Sequence, residues 1–289
     1  MQTQSASLMT NTGIKLVYRT WEGDGPPLVL IHGLASSMYI WDYVAPVLAA
    51  RFSVIAYDQR GHGQSDKPDG GYDLDTMFRD LEALISALNI DKPVIVGHSW
   101  GATLALGYAA AHPEGCAGVA LVDGGVMNFD DWPDSSWEAV SHKLAPPDIT
   151  RFTINELHSR IKSGRPETAH IPDDEVIAFL KSLMAEAPDG TVRPRLSREN
   201  HMRILRTIWE TRPAALFQRV KCPVLIILAN KPTKDSAAFD ERSSNIKNLN
   251  LEHARSMLEK VKIVEMKDTI HDIPLHRPEQ LAEEILAFF

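Results

Sequence analysis

Apolar residues along this chain fall into two patterns, short continuous runs and longer stretches of helical spacing. Leu28-Val29-Leu30-Ile31, Val54-Ile55-Ala56-Tyr57 and Val94-Ile95-Val96 carry no polar face, and they close on His32-Gly33, Asp58 and Gly97. Runs that are apolar on both sides suit strands inside a parallel sheet with helices on either face. Between the second and third runs, Leu74, Met77, Phe78, Leu81, Leu84, Ile85 and Leu88 recur at helical spacing, with Asp73 or Asp75 available as N-cap. This spacing predicts a βαβ crossover. Ahead of it, residues 7–9 and 14–21 flank Asn11-Thr12-Gly13, which predicts an antiparallel hairpin at the sheet edge.

The same rhythm continues through residues 118–123 and then stops. Residues 127–217 are rich in proline, with helical and loop-like stretches and no strong strand. Strand patterning resumes at 223–228 and 261–266, and a last helix is predicted over 278–289. A helical insertion within an α/β sheet reads as a cap over the carboxyl ends of the strands, where open sheets bind ligands. The expected organisation is a core formed by 1–126 and 218–289, with 127–217 as a helical cap. No internal repeat or low-complexity tract interrupts it.

Composition narrows the class further. A chain of 289 residues, 44% hydrophobic and 24% charged, can bury a core without disulfides or a structural metal. Its net charge of −8 and the lack of any lysine or arginine run argue against nucleic acid and fit a neutral or cationic small molecule better. Cys116 and Cys222 border apolar runs and read as small buried hydrophobes. Residues 1–12 lack the basic and apolar regions of a signal peptide, and no stretch approaches the roughly 18 apolar residues of a membrane span. The expectation is a cytoplasmic protein without a membrane span, with a homodimer left open.

Candidate chemistry begins at Gly97-His98-Ser99-Trp100-Gly101. An apolar strand precedes it and an alanine- and leucine-rich helix follows, so the glycines allow a sharp turn that lifts the serine side chain out of the sheet. In that context Ser99 is the expected nucleophile.

The chain here resembles the small capped α/β-hydrolases, a group with esterases, lactonases, carbon–carbon hydrolases and dehalogenases. The likeness rests on His32-Gly33 after one strand, Asp58-Gln59-Arg60-Gly61-His62-Gly63-Gln64-Ser65 after the next, the serine turn, and a histidine near the C-terminus. It covers nearly the whole chain and loosens in the cap. Serine at the turn sets this chain apart from dehalogenase and epoxide-hydrolase members, which use aspartate there. The resemblance implies an α/β fold with a mostly parallel central sheet.

A serine hydroxyl needs a base, and imidazole titrates in the right range. Of eleven histidines, His271 resembles the family's histidine after the last strand, with Pro278 opening the final helix. His276 reads as a packing residue, His98 points away if Ser99 points up, and His32 and His62 match positions that shape loops. His142, His158, His170 and His201 have no partner motif. For the acid, most relatives place an aspartate directly after the strand at 224–228, where this chain has Ala229-Asn230-Lys231-Pro232 and reaches its first carboxylate at Asp235. Other relatives place the acid at the end of the preceding strand. That position is Asp123, followed by Gly124 and Gly125, and it is preferred over Asp235 and Asp240.

The resemblance further implies an oxyanion hole from the backbone N–H groups of Leu34 and Trp100. Substrate contacts are expected from His32 and Gly33 and from Trp41, Met127, Phe129, Trp132, Trp137 and Trp209, and the large apolar side chains of the last six suggest a hydrophobic substrate. No metal-ligand spacing or nucleotide loop is present, and no cofactor is expected. The leading expectation is a serine esterase or lactonase with a Ser99, His271, Asp123 triad. The alternatives are a carbon–carbon hydrolase, an iminopeptidase-like amidase, or a ligand receptor derived from a hydrolase.

Overall fold

Ten strands and eleven helices form among the residues that the computed structural model describes, 3–131, 135–231 and 241–289. The edge hairpin is β1 (Thr3–Met9) and β2 (Lys15–Trp21), paired antiparallel from Thr3↔Trp21 to Met9↔Lys15. The chain then builds β3 (Pro27–Ile31), α1 (Ala45–Leu48), β4 (Ser53–Asp58), α2 (Leu74–Ala87), β5 (Val94–His98), α3 (Trp100–Ala111) and β6 (Gly118–Val122). Asp73 caps α2 by accepting from the Thr76 N–H, which resolves the choice between Asp73 and Asp75.

After β6 the chain leaves the sheet. It forms α4 (Trp137–Lys143), α5 (Ile154–Gly164), α6 (Asp173–Leu183), the short antiparallel pair β7 (Met184–Glu186) and β8 (Val192–Pro194), α7 (Arg198–Glu210) and α8 (Pro213–Leu216). The small hairpin escapes sequence reading because each strand is three residues long, too short for an alternation to register. The chain returns through β9 (Val224–Ala229), α9 (Glu241–Met257), β10 (Val261–Met266), α10 (Ile273–His276) and α11 (Pro278–Phe288).

The eight-stranded sheet has the order β1-β2-β4-β3-β5-β6-β9-β10, parallel from β4 to β10 and antiparallel at β1 and β2. Alternate residues of its central strands feed two cores. Val29, Ile31, Ile95, Val119, Leu121 and Ile226 pack with α2 and α3 on one face. Leu28, Leu30, Val94, Val96, Ala120 and Leu225 pack with α1 and α11 on the other. This two-sided burial explains why the runs show no polar alternation. The segment between β6 and β9 has a smaller core of its own, with Ile154, Leu157, Ile171, Val176, Leu180 and Val192.

From β3 the chain crosses to β4 on one side and then returns to place β5 on the other. Order reverses at this point, so the carboxyl ends of β3 and β5 diverge and leave a crevice suited to a ligand. His32 to Leu34 and Ser99 lie at those two ends. Cys116 and Cys222 sit at the opposite ends of neighbouring strands, unbonded, with Sγ atoms 3.6 Å apart.

Candidate active site

Ser99 stands between β5 and α3 with φ 54° and ψ −118°, a left-handed backbone that a non-glycine residue adopts only where its surroundings enforce it. The glycines supply that enforcement. A Cβ on Gly97 would lie 2.0 Å from the Gly101 carbonyl oxygen, and one on Gly101 would lie 2.3 Å from that of Ile31. Strand, turn and helix therefore approach at backbone contact. Ser99 Oγ makes no hydrogen bond among the described residues and faces the large cavity of about 770 Å³.

Asp123 follows β6, also with positive φ at 46°. Its Oδ1 accepts from the Ala229 N–H at 2.9 Å, and its Oδ2 accepts from His271 Nδ1–H at 2.6 Å. A Cβ on Gly124 would lie 2.2 Å from the Ser99 carbonyl oxygen, so the turn after Asp123 packs directly against the serine turn. Burial pushes the Asp123 carboxyl up, but the His271 hydrogen bond and charge, with the Ala229 N–H, outweigh it and hold it below the ordinary carboxylate range. Enclosure by protein opposes the charged form of His271. The hydrogen bond and charge of Asp123, helped by Asp272, win and raise its pKa above 6.5. With Nδ1 committed to Asp123, Nε2 is the nitrogen left free.

His98 lies behind this pair. Its Nε2–H donates to the His271 carbonyl oxygen at 2.9 Å, its ring stands 4.9 Å from that of His271, and burial lowers its pKa to about 4. A neutral ring thus fixes the backbone of the histidine loop, although His98 also borders the cavity that Ser99 lines.

The loop after β3 is held by two further neutral histidines. His32 Nδ1–H donates to the Gly33 carbonyl oxygen at 2.8 Å, Nε2 accepts from the Gln59 N–H at 3.1 Å, and burial lowers its pKa to about 4. His62 Nδ1–H donates to the Arg60 carbonyl oxygen, Nε2 accepts from the Ala35 N–H at 3.3 Å, and burial holds it well below 6.5. Among the described residues the Leu34 and Trp100 N–H groups have no protein acceptor, and that of Trp100 is one of the orphan donors at a helix start.

The cavity corrects several expected substrate contacts. Gly33 lines it, as do Leu34, Ser99 and His271, whereas His32 and Trp41 are fully buried beneath it. Trp41 packs edge-on to His98, with ring centroids 6.5 Å apart. Met127 packs into the core beside α2 and α3, and Phe129 sits in a 3-10 turn. Trp137 and Trp209 face each other with centroids 6.4 Å apart, and Arg206 covers the Trp137 ring. A large aromatic ring thus seals one helix against another here, which its hydrophobicity alone could not distinguish from lining a pocket. Trp132, Asp235 and Asp240 lie outside the described residues.

The part of the lining that comes from the segment between β6 and β9 is mostly aliphatic, with Ile149, Leu157, Ile161, Ile171, Val176 and Phe179. Helical spacing on α5 and α6 was the signal that could have found it. Three arginines also line the cavity, Arg19, Arg165 and Arg195. Arg165 forms an ion pair with Asp272 at 2.5 Å, tying α5 to the histidine loop. Among the described residues, no group of three or more His, Cys, Asp or Glu is placed to hold a metal. No helix there is long and apolar enough to cross a membrane.

Comparison with known proteins extends this picture. Residues 26–141 match the family model described as alpha/beta hydrolase fold. The chain is 46% identical over 97 residues to a soluble epoxide hydrolase of Corynebacterium sp. (strain C12), a match covering 34% of each chain. That stretch is about a third of the relative's own length. Among solved structures, E-2-(acetamidomethylene)succinate hydrolase superposes with a TM-score of 0.76 at 23% identity, covering 99% of both chains. The thioesterase domain from the curacin biosynthetic pathway gives 0.76 at 19% identity, over 99% of this chain and 100% of its own. At such identities the structures speak for the fold alone. The family match spans β3 through the Ser99 turn, and the superpositions carry the same architecture to the last helix: this chain has the α/β-hydrolase fold.

Proposed function

We propose that this protein is a serine hydrolase that cleaves a carboxylic ester or lactone with a hydrophobic acyl part through an acyl-enzyme at Ser99. The observation that carries this reading is the 2.6 Å hydrogen bond between Asp123 and His271, beside a cavity lined by both His271 and Ser99. With its Nδ1–H held, His271 presents a lone pair at Nε2. That nitrogen takes the hydroxyl proton as Ser99 Oγ attacks the acyl carbon. Negative charge moves to the carbonyl oxygen, where the free N–H groups of Leu34 and Trp100 receive it, each donor being worth about 10²–10³ in rate. The imidazolium, stabilised by Asp123, returns its proton to the departing alkoxide as the carbon–oxygen bond breaks. Water then gives a proton to Nε2 and attacks the acyl-serine, and the acid leaves as Ser99 regains its proton.

Residues 127–217 serve in this reading as a cap whose aliphatic wall binds the acyl chain. The enzyme is read as cytoplasmic and as acting without a cofactor. Serine at position 99 also weighs against the epoxide chemistry named for the Corynebacterium relative. A serine that opened an epoxide would leave an ether that water does not cleave, whereas a carboxylate would leave a hydrolysable ester.

The test is hydrolysis of p-nitrophenyl esters of increasing acyl length by the wild type and Ser99→Ala. Turnover should vanish in the variant while its melting temperature holds. Full activity in Ser99→Ala would overturn the reading.

A further inference from the structure

Among the charged side chains that line the cavity, one cation has no ion-pair partner among the described residues. Arg19 is paired with Asp42 and lies over the rings of Trp21 and Tyr39, and Arg165 is paired with Asp272. Arg195, just after β8, is partly buried, and its Nε–H donates to the Lys181 carbonyl oxygen at 3.3 Å. No carboxylate lies within ion-pair distance of it among the described residues, so its two terminal amino groups are without a protein acceptor. A guanidinium keeps its charge at any working pH and offers a planar fork that matches a carboxylate.

The surroundings strengthen the local positive field. Lys67 is pinned to the carbonyl oxygens of Gly63 and Ser65 at 3.0 and 2.6 Å, close enough to Arg195 for the two charges to oppose each other. His62 and His201, which share the cavity lining with Arg195, are kept neutral by burial. Asp58 offers a partial counter-charge, but its two oxygens already accept from the Met38 and Gln64 N–H groups. Glu175 also lines the cavity without an ion pair, yet it is exposed in the first turn of α6, where solvent screens it.

We propose that Arg195 is a specificity-determining residue that receives a carboxylate carried by the substrate, so that the site takes amphiphilic anions. The substrate class is an ester or lactone whose acyl part joins an aliphatic chain, seated on the wall of α5 and α6, to a free carboxylate. This rests on the acyl-enzyme reading for which bond is cut, but the recognition itself is independent of it. It also revises the expectation from net charge, since a chain of net charge −8 can still present one unmatched cation where the ligand sits.

Two measurements test it. The first compares kcat/KM for mono-p-nitrophenyl esters of the dicarboxylic acids from adipate to sebacate with the corresponding methyl-capped diesters. The wild type should favour the free carboxylate by about ten- to a hundredfold at its best chain length. In Arg195→Gln that ratio should collapse toward one, with the change carried mainly by KM, and Arg195→Lys should restore part of it. A ratio unchanged in Arg195→Gln, or an equal loss on both substrate series, would overturn the proposal. The second measurement is calorimetric binding of the free half-esters to Ser99→Ala, with and without Arg195→Gln. If the wild type hydrolyses none of the esters, binding that weakens at least tenfold with Arg195→Gln still sustains carboxylate recognition while the hydrolysis reading fails. Binding indifferent to Arg195, or none at all, refutes it.

Discussion

Replacing Asp123 with asparagine changes one atom and forces a choice between two hydrogen bonds. In the native site Oδ1 accepts from the Ala229 N–H and Oδ2 accepts from His271 Nδ1–H. Asparagine has only one acceptor to offer. The Ala229 N–H cannot become an acceptor, whereas imidazole can move its proton to the other nitrogen, so the amide oxygen stays with Ala229 and Nδ2–H turns to His271. His271 Nδ1 must then accept, the proton sits on Nε2, and the proposed base can no longer take a proton from Ser99. A wrong tautomer of this kind costs on the order of 10⁴ in kcat, or about 5.5 kcal/mol of transition-state stabilisation. The fold should lose far less, about 1–3 kcal/mol, because both polar contacts survive in altered form. Steady-state hydrolysis of a p-nitrophenyl ester, with thermal melts by circular dichroism, separates the two effects. Activity of Asp123→Asn within tenfold of wild type, or a larger loss from Asp235→Asn, would refute the reasoning.

Four other outcomes are expected. In the proposed reaction His271 must be neutral to act, and its pKa lies above 6.5, so kcat/KM should fall as pH drops through that raised value. Arg165 lowers the His271 pKa, so Arg165→Gln should move this acid limb to higher pH; a limb that moves down or stays still contradicts the charge assignment. Gly97→Ala, which drives a Cβ into the Gly101 carbonyl oxygen, should cost about 3 kcal/mol or more in urea unfolding. Gly70→Ala has no heavy atom within 4 Å and should stay within about 0.5 kcal/mol. Phe179→Ala should lengthen the preferred acyl chain in an ester series, whereas Trp209→Phe should lower the melting temperature and leave that preference alone.

The fold was legible wherever one physical constraint dominated the sequence. Doubly covered strands must be apolar on both faces, so 28–31, 54–57 and 94–96 stand out, and α2 could be traced from its stripe and its Asp73 cap. Ser99 was legible because backbone contact leaves no room for side chains at Gly97 and Gly101. Asp123 was harder, since its pairing depends on β6 and β9 lying side by side and on the Ala229 N–H, a contact between residues far apart in the chain. The aliphatic wall and the places of Trp41, Trp137 and Trp209 were not legible for a common reason. Hydrophobicity marks a residue as shielded from water without saying whether protein or substrate does the shielding. Unmatched charge at Arg195 is likewise a property of where other carboxylates end up, which local pattern does not encode.

An acyl group covalently held on Ser99 is the most direct sign of the proposed chemistry. The enzyme would be mixed with a p-nitrophenyl ester, quenched in acid within milliseconds, digested and weighed by mass spectrometry. The peptide containing Ser99 should carry one acyl mass, absent from Ser99→Ala and accumulating as a burst when deacylation is slow. Turnover of the ester with that peptide unmodified at every quench time, and with the acyl mass on another residue or nowhere, would contradict an acyl-enzyme at Ser99.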